Sequence, residues 1–268
     1  MQGKTASELK TPARDITYLS APAPVSMADQ WFNIASAGHF WIRRRFEVFR
    51  RLAGGLVLTS REIAEVGCGH GLLQRAIEEA YGREVAGFDL NEFALKQNLS
   101  CFSRIYCYDT CEKSPVFRER FDLLLLFDVL EHIADEDHFL SALRFHLAPG
   151  GKLVVNVPAG QWAYSAYDHA AGHVRRYSIR SLRESVQRSG FQVSDWTYWG
   201  LPLVPSLLLR KLWLLGRRNQ DAIISSGFDP GSRAVNAAMG LAARCEPIPQ
   251  RFLGTSLMAV LQAAGDGR

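Results

Sequence analysis

The chain has 268 residues, of which 47% are hydrophobic and 22% are charged, a composition that is typical of globular proteins and excludes a disordered one. Its formal net charge of +4 is too small to indicate binding to nucleic acid by itself. No stretch is long and apolar enough to span a membrane, and the first residues lack the apolar segment of a signal peptide. We therefore expect a cytoplasmic protein.

Five cysteines are present, an odd number without the spacing of a disulfide framework, so we expect reduced thiols. Cys101, Cys107 and Cys111 lie near one another in the sequence, but neither a C-x-x-C pair nor a neighbouring histidine completes a metal site. The sequence therefore predicts no metal site.

The N-terminal part is predicted to form a flexible arm followed by a helical lid. Residues 1–25 are polar and contain several prolines, which is typical of a loosely held terminus. Residues 26–55 have the apolar spacing of an amphipathic helix that ends at a pair of glycines. Its arginines indicate either a solvated helix face or a lid over a ligand site. In the second case Trp41 and Arg45 would touch the ligand.

The most informative stretch is the glycine-rich turn at 67–71. The apolar run 62–66 predicts a buried strand, and the segment that begins at Leu72 has helical spacing. Because glycine has no Cβ atom, a ligand can lie against the backbone of such a turn, next to the N–H groups of the helix. A dinucleotide-binding motif is excluded because Leu72 occupies its third glycine position. A phosphate-binding loop would need Gly-Lys-Ser/Thr, which the turn lacks.

Residues 65–71, Glu-Val-Gly-Cys-Gly-His-Gly, resemble motif I of the class I S-adenosylmethionine (SAM)-dependent methyltransferases, (D/E)-x-G-x-G-x-G, at every fixed position. The resemblance extends from about Trp41 to Trp199 and again over 254–263. It implies a Rossmann-like α/β fold with a seven-stranded, mostly parallel sheet, helices on both faces, an antiparallel last strand and a helical insertion before it. It also implies SAM as the cofactor and S-adenosylhomocysteine as its product. The alternative is a tight strand–helix turn without a ligand.

Two further acidic residues follow predicted strands. Asp89 lies about twenty residues past the glycines, where α/β nucleotide sites place the carboxylate that accepts from ribose hydroxyls. Its alternative role is to cap the next helix. For Asp109 the resemblance implies a contact to the adenine amino group, and a turn aspartate is the alternative. The implied cofactor-binding residues are Glu65, Gly67, Cys68, Gly69, Gly71, Asp89, Leu90, Asp109, Phe127 and Asp128.

The fourth predicted strand, 121–127, is apolar on both faces, which indicates a central position in the sheet. It continues into residues 128–132, Asp-Val-Leu-Glu-His, which resemble the end of strand four in small-molecule methyltransferases. The Asn/Asp-Pro-Pro-Tyr/Phe sequence of enzymes that methylate exocyclic or amide nitrogens is missing here. This departure disfavours a DNA adenine or glutamine methylase.

A long irregular stretch, 162–177, follows the fifth strand, so it emerges at the edge of the sheet where such folds bind ligands. It is dense in groups that bind or deprotonate hydroxyls, and histidine suits proton transfer near neutral pH. The alternative is a structural loop held by Arg–Asp pairs. The catalytic candidates are His132, His169 and His173, and the substrate-binding candidates are Asp168, Arg176 and Tyr177.

Residues 200–245 depart from the minimal fold and predict a helical insertion before the last strand, 254–263. Within the insertion, 201–218 combines leucines and a tryptophan with basic residues at helical spacing. This segment could lie at a membrane interface, cap the active site or pack against the core. The last strand falls where the resembled family adds an antiparallel edge strand.

The sequence thus predicts a SAM-dependent methyltransferase in which 26–268 form one domain around a SAM-binding core, 61–199. Residues 168–177 resemble those of methyltransferases in bacterial glycan pathways, so we expect a small or lipid-linked acceptor that is methylated at oxygen, on a sugar or related hydroxyl. The alternatives are a quinone- or polyketide-type O- or C-methyltransferase and a SAM-binding protein without catalysis. We expect no nucleic-acid partner and possible peripheral contact with the inner face of a membrane through 201–218.

Overall fold

An eight-stranded sheet forms the centre of the molecule. The computed structural model describes residues 15–24, 37–215, 223 and 232–264. The strands are β1 (Ile16–Tyr18), β2 (Ile63–Val66), β3 (Ala86–Asp89), β4 (Ile105–Cys107), β5 (Phe121–Phe127), β6 (Leu147–Pro158), β7 (Phe191–Trp199) and β8 (Ser256–Ala263). Their order in the sheet is β1-β4-β3-β2-β5-β6-β8-β7. Neighbours from β1 to β6 are parallel and β8 is antiparallel to both of its neighbours, which confirms the predicted Rossmann-like class.

Strand β1 is the one that the sequence does not predict, and it makes the sheet eight-stranded rather than seven-stranded. It pairs in parallel with β4, and the N–H of Leu19 donates to the carbonyl oxygen of Cys107 at 2.9 Å. The flexible-arm prediction is therefore wrong for 15–24, while residues 1–14 and 25 lie outside the described residues. Ile-Thr-Tyr has high β-propensity, but three such residues within a polar segment are too few to identify as a strand.

Strand β8 lies inside the sheet rather than at its edge. Its antiparallel direction is as predicted, but it is inserted between β6 and β7, so that β7 is the edge strand. Leu257, Met258 and Ala259 are fully buried, which is the expected burial for a strand covered on both faces. The predicted edge position is therefore wrong.

Helices cover both faces of the sheet. They are α1 (Phe40–Thr59), α2 (Leu72–Tyr81), α3 (Glu92–Lys96), α4 (Glu136–His146), α5 (Ala166–Ala170), α6 (Ile179–Arg188), α7 (Val204–Trp213) and α8 (Arg233–Ala243). Alternate residues of β5 point to opposite faces. Leu124 and Leu126 pack in one cluster with residues of α4 and α6, and Leu123 and Leu125 pack in another with residues of α1 and α2. All four leucines are fully buried, and the predicted central position of β5 is confirmed by its place between β2 and β6.

Helix α1 begins at an N-cap, His39, whose Nδ1 accepts from the N–H of Trp41 at 3.2 Å. The first part of the predicted lid, 26–36, lies outside the described residues. Arg44 and Arg45 on this helix are only 2% and 8% exposed, because each pairs with a carboxylate from another element. The solvated-face interpretation is therefore wrong for these two arginines.

The chain between β7 and β8 contains the helices of the predicted insertion, a short 3₁₀ turn (Leu201–Leu203) followed by α7 and, later, α8. Among the described residues, no helix combines the length and the apolarity that a membrane crossing requires. The parallel strands β2 to β6 all end at one edge of the sheet, which is the edge at which this class of fold binds ligands.

Candidate active site

A cavity of about 860 Å³ opens at the carboxyl ends of the parallel strands. Its walls come from the glycine turn after β2, the ends of β3 to β6, the start of α1 and the loop after β6. Residues of the insertion, among them Leu203, Leu207 and Met239, form a further wall. The insertion therefore caps this cavity, which was one of the three possibilities left open by its sequence.

The glycine turn is shaped by positive φ angles, +74° at Gly67, +53° at Gly69 and +78° at Gly71. A Cβ atom on Gly67 would collide with the side chain of Val129, so this position requires glycine. Gly67 and Gly69 line the cavity, whereas Gly71 does not and instead forms the N-cap of α2. The predicted ligand contact of Gly71 is therefore not supported by its position. The other nine residues implied to bind cofactor all line the cavity.

Asp89 and Asp109 both hold backbone turns at the cavity wall. Asp89 accepts from the N–H of Gly69 at 2.7 Å and from the N–H of Asn91 at 2.8 Å, while the N-cap of α3 is Asn91 itself. Asp109 accepts from the N–H of Cys111 at 2.8 Å. An ionised carboxylate has about four acceptor sites, so both residues can hold a turn and still accept from a ligand.

Glu65 lies at the end of β2 with its side chain at the cavity wall. The residue is 4% exposed, and its Oε2 has no hydrogen-bond partner among the described residues. Burial raises the pKa of Glu65 to about 8, because the charged form is poorly solvated there. A buried carboxyl oxygen without a partner is the expected signature of a group that meets a bound ligand.

The start of α1 is fixed over the end of β5 by Arg45. Its guanidinium forms an ion pair with Asp128 and lies 5.0 Å from the ring centroid of Trp41 and 5.4 Å from that of Phe127. Asn156 donates to the other oxygen of Asp128 at 2.7 Å. Trp41 and Arg45 thus line the cavity, as the lid interpretation of this helix predicts.

The structure separates the three candidate histidines. His132 and His173 line the cavity, and their ring centroids are 4.8 Å apart with an interplanar angle of 82°. His169 is exposed on α5 and does not contribute to the cavity wall. The prediction that His169 is catalytic is therefore wrong, because α5 turns this side chain away from the cavity.

His173 is held by a buried carboxylate. Its Nδ1 is 3.0 Å from Oδ1 of Asp168, which also accepts from Nε of Arg176 at 2.7 Å. Burial opposes ionisation, but the hydrogen bond from His173 and the charge of Arg176 outweigh it and lower the pKa of Asp168 to about 2. Since an ionised carboxylate can only accept, Nδ1 of His173 carries a proton in this contact, and in the neutral ring the lone pair is then on Nε2.

The three predicted substrate-binding residues have different positions. Arg176 lines the cavity. Asp168 is fully buried behind His173 and Arg176, so it positions them and does not touch a substrate. The hydroxyl of Tyr177 donates to the carboxylate of Glu136 and lies 3.2 Å from a backbone carbonyl oxygen. Tyr177 is thus a buried structural residue, and its predicted substrate contact is wrong.

Glu131 is a cavity residue that the sequence interpretation leaves without a role. It is 1% exposed, and its Oε2 has no hydrogen-bond partner in the described part of the chain. Burial, together with the nearby charge of Asp128, raises its pKa well above the usual value. The adjacent His132 places Nδ1 3.2 Å from the carbonyl oxygen of Gly172, and burial together with His173 lowers the pKa of His132 to about 4. The available signal was the Glu-His pair directly after a buried strand.

The insertion contributes a second group of residues that sequence reasoning missed. The guanidinium of Arg210 lies 4.3 Å from the ring centroid of Tyr167, and both residues line the cavity. Tyr167 belongs to α5 and Arg210 to α7, so this contact joins the cap to the loop after β6. Only the spatial approach of two distant segments reveals it.

Comparison with known proteins agrees with this geometry. A family model described as a methyltransferase domain matches residues 35–195. A Mycolicibacterium smegmatis protein named a probable S-adenosylmethionine-dependent methyltransferase is 28% identical over 160 residues, which cover 59% of this chain and 61% of that protein. A ubiquinone biosynthesis O-methyltransferase of Cereibacter sphaeroides is 31% identical over 112 residues, which cover 40% of this chain and 45% of that protein.

Among solved structures, phosphoethanolamine N-methyltransferase 2 of Haemonchus contortus in complex with SAM is similar with a TM-score of 0.52 at 16% identity, over 89% of this chain and 60% of that one. At this identity the likeness concerns the fold alone. The chain spans 61% and 45% of the length of the Mycolicibacterium and Cereibacter relatives named above. Because the methyltransferase model covers more than half of the chain and the glycine turn carries the family's motif, the chain belongs to the class I SAM-dependent methyltransferases.

Proposed function

We propose that the protein transfers a methyl group from SAM to a hydroxyl oxygen of an acceptor with an apolar part. The observation that carries this proposal is that His173, whose Nδ1 is held by Asp168, lines the same cavity as the glycine turn. The cavity therefore has a cofactor half at the glycine turn and an acceptor half at His173. A histidine near neutral pH is well suited to take the proton of a hydroxyl.

Residues of this chain fit SAM at one end of the cavity. Gly67 and Gly69 present backbone without side chains, and Asp89 and Asp109 offer acceptor oxygens for ribose hydroxyls and the adenine amino group. Glu65 supplies a buried carboxyl oxygen without a partner among the described residues, which suits the ammonium of the methionine part. When bound, SAM would supply a methyl group that its sulfonium already activates. The bond between sulfur and the methyl carbon breaks as the new oxygen–carbon bond forms.

The chain's own residues then have three tasks. Trp41 and Arg45, fixed by Asp128, close the cavity from the side of α1, and the insertion closes it from the other side, so that water is excluded. His132 and His173 hold the acceptor hydroxyl in line, and His173 removes its proton. Asp168 keeps His173 in the tautomer that this requires.

The acceptor is proposed to be of quinol or phenol type, which the sequence leaves as an alternative to a sugar. The insertion and α4 line the cavity with apolar groups, among them Phe139, Leu203, Leu207, Val235 and Met239. A relative with 31% identity is named as a ubiquinone biosynthesis O-methyltransferase. A lipid-linked sugar is the second candidate, and it is favoured by Arg176 and Arg210, because arginines in the cavity wall would suit a phosphate.

The test is a methyl-transfer assay with SAM labelled at the methyl group. Purified protein is incubated with ortho-dihydroxyphenols bearing short alkyl chains and, separately, with polyprenyl-phosphate sugars. Label in the ether product of a phenol supports the proposal. Label only in the sugar selects the second candidate, and label at carbon indicates a C-methyltransferase. Binding of S-adenosylhomocysteine without any labelled product would leave a SAM-binding protein and overturn the proposed activity.

We expect the affinity for S-adenosylhomocysteine to rise between pH 6 and pH 8, by up to about tenfold per pH unit. Above the pKa of Glu65 it should level off. Burial raises the pKa of Glu65 to about 8, so this group must lose its proton before it can pair with the ligand's ammonium. Binding should therefore release a proton below pH 8. Titration calorimetry in two buffers of different ionisation enthalpy measures both effects. Glu65→Gln should bind more weakly with a flatter profile, and an unchanged profile in this variant contradicts the assignment.

We also propose that α7 rests on an anionic lipid surface, from which an apolar acceptor enters the cavity. Leu209, Leu212 and Trp213 are 68%, 63% and 50% exposed on this helix, next to Lys211, while Leu207 of the same helix lines the cavity. Arg210 faces the cavity instead of lipid, and 217–218 lie outside the described residues.

Replacing Leu209, Leu212 and Trp213 together by serine should reduce co-sedimentation with vesicles that contain phosphatidylglycerol, because the apolar area available for insertion is removed. The matched control is Leu58→Ser, which alters a leucine of similar exposure (65%) on α1. Equal sedimentation of the triple variant and the wild type would refute lipid contact through α7.

A further inference from the structure

Three side chains in the acceptor half of the cavity have the arrangement of a metal site. One ligand atom from each of Glu131, His132 and His173 lies within 4.8 Å of the other two, and His173 Nε2 is 3.9 Å from Glu131 Oε1. Ligand atoms bound at about 2.1 Å in a tetrahedral zinc site are about 3.4 Å apart. Side-chain rotations that bring the widest pair closer by up to about 1.4 Å would therefore place all three on one ion.

Both histidines present the correct nitrogen. Nδ1 of His132 faces the carbonyl oxygen of Gly172 at 3.2 Å, and a carbonyl can only accept, so this nitrogen carries the proton. Nδ1 of His173 is likewise held by Asp168 at 3.0 Å. Each ring therefore offers the lone pair of Nε2, oriented by an outer hydrogen bond, which is the arrangement that metal-binding histidines commonly have.

The third group is a buried carboxyl, and its charged form has no close arginine or lysine among the described residues. Asp128 pairs with Arg45 and Asp168 pairs with Arg176. Glu131, in contrast, has no arginine or lysine within ion-pair distance in the described ranges, and its buried Oε2 lacks a hydrogen-bond partner there. Burying an uncompensated carboxylate is costly, and a bound cation would remove this cost.

We propose that Glu131, His132 and His173 bind one divalent transition cation, with Zn²⁺ as the representative. Two imidazoles and one carboxylate form a donor set that suits zinc and its neighbours better than magnesium, and three protein ligands leave a position open. This inference rests on the proposed function, because the acceptor hydroxyl would occupy the open position. With its lone pair on the cation, His173 would no longer act as the base; the cation would lower the pKa of the acceptor hydroxyl, which would give its proton to solvent water as it enters the cavity.

The experiment uses untagged full-length protein, stripped of metal and titrated with Co²⁺ as the spectroscopic probe. We expect one Co²⁺ per chain, visible absorption bands, and displacement by Zn²⁺ but not by Mg²⁺. Glu131→Gln and His132→Ala should each weaken binding by more than about 100-fold, since loss of an outer partner alone costs about 10–100-fold. Asp168→Asn should fall in that smaller range. Calorimetry with S-adenosylhomocysteine verifies that each variant is folded.

The matched control is His169→Ala, which removes an exposed histidine outside the cavity and should bind Co²⁺ as the wild type does. Failure of the wild type to bind one Co²⁺ would overturn the metal site. Wild-type affinity for Co²⁺ in both Glu131→Gln and His132→Ala would overturn it as well. If the protein does not bind Co²⁺ and its methyl transfer is insensitive to chelators, the metal site is rejected and the proposed function is retained. If the protein binds Co²⁺ but transfers no methyl group to any acceptor, the metal site is retained and the proposed function is rejected.

Discussion

Replacing His173 by alanine is expected to lower turnover by about 10²–10⁴-fold and to leave the affinity for S-adenosylhomocysteine unchanged. The residue lines the acceptor half of the cavity, and its Nε2 lone pair is directed by Asp168. Its loss removes activation of the hydroxyl, whether Nε2 takes the proton itself or holds a cation. Single-turnover rates on the acceptor identified by labelling, together with calorimetry, measure the two effects separately.

The rival candidate for this task is His132. Burial and the neighbouring His173 lower the pKa of His132 to about 4, so we expect His132 to be a poor proton acceptor near neutral pH. His169→Ala serves as the control and should retain full activity. A fully active His173→Ala beside an inactive His132→Ala would exclude the loop after β6 from catalysis.

The largest loss of stability is expected from Glu246→Ala. Arg44 of α1 is 2% exposed and lies 3.2 Å from Oε1 of Glu246. The same carboxylate accepts from the N–H groups of Gly200 and Leu201 at 2.7 and 2.8 Å. Removing it leaves two backbone donors without their partner and Arg44 with Glu47 as its one remaining carboxylate partner among the described residues, 3.4 Å away, so we expect a loss of about 3 kcal/mol of unfolding free energy.

Urea unfolding of Glu246→Ala and the wild type at equal pH measures this difference. Glu184→Ala is the matched control, because it breaks the Arg180–Glu184 pair, whose side chains are 89% and 59% exposed. Such a surface pair contributes less than about 1 kcal/mol. If both variants lose the same small amount, the buried ion pair does not hold α1 to the segment before β8.

The parts of the fold that the sequence predicts correctly are those with local signals. The glycine turn is a strand, three glycines and a helix within a few residues, and β5 is a continuous apolar run. Arg44 had no such signal, because its partner Glu246 lies 202 positions away. Its burial follows from an ion pair that only the tertiary structure brings together, so helical spacing suggested a solvated face.

The candidate site shows the same division. The loop after β6 was expected at the cavity on topological grounds, and His173 and Arg176 lie there. His169 was misassigned because 166–170 form a short helix with a capping box between Ser165 and Asp168. A Ser-x-x-Asp sequence was available as a signal for that helix. An irregular loop, in contrast, does not determine which of its polar side chains face the ligand.

The interior position of β8 determines the order in which the molecule can be completed. Strands β6 and β7 do not touch each other as partners; each pairs with β8, which is the last of the three to leave the ribosome. Until then, β7 has no neighbour in the sheet, and the connection 200–255 is not yet closed by the pairing of β7 with β8. Ser256, the first residue of β8, and Thr255 directly before it line the cavity. The step that closes the sheet thus also finishes the wall of the binding chamber, so a nascent chain lacking β8 cannot yet offer a complete site for its ligand.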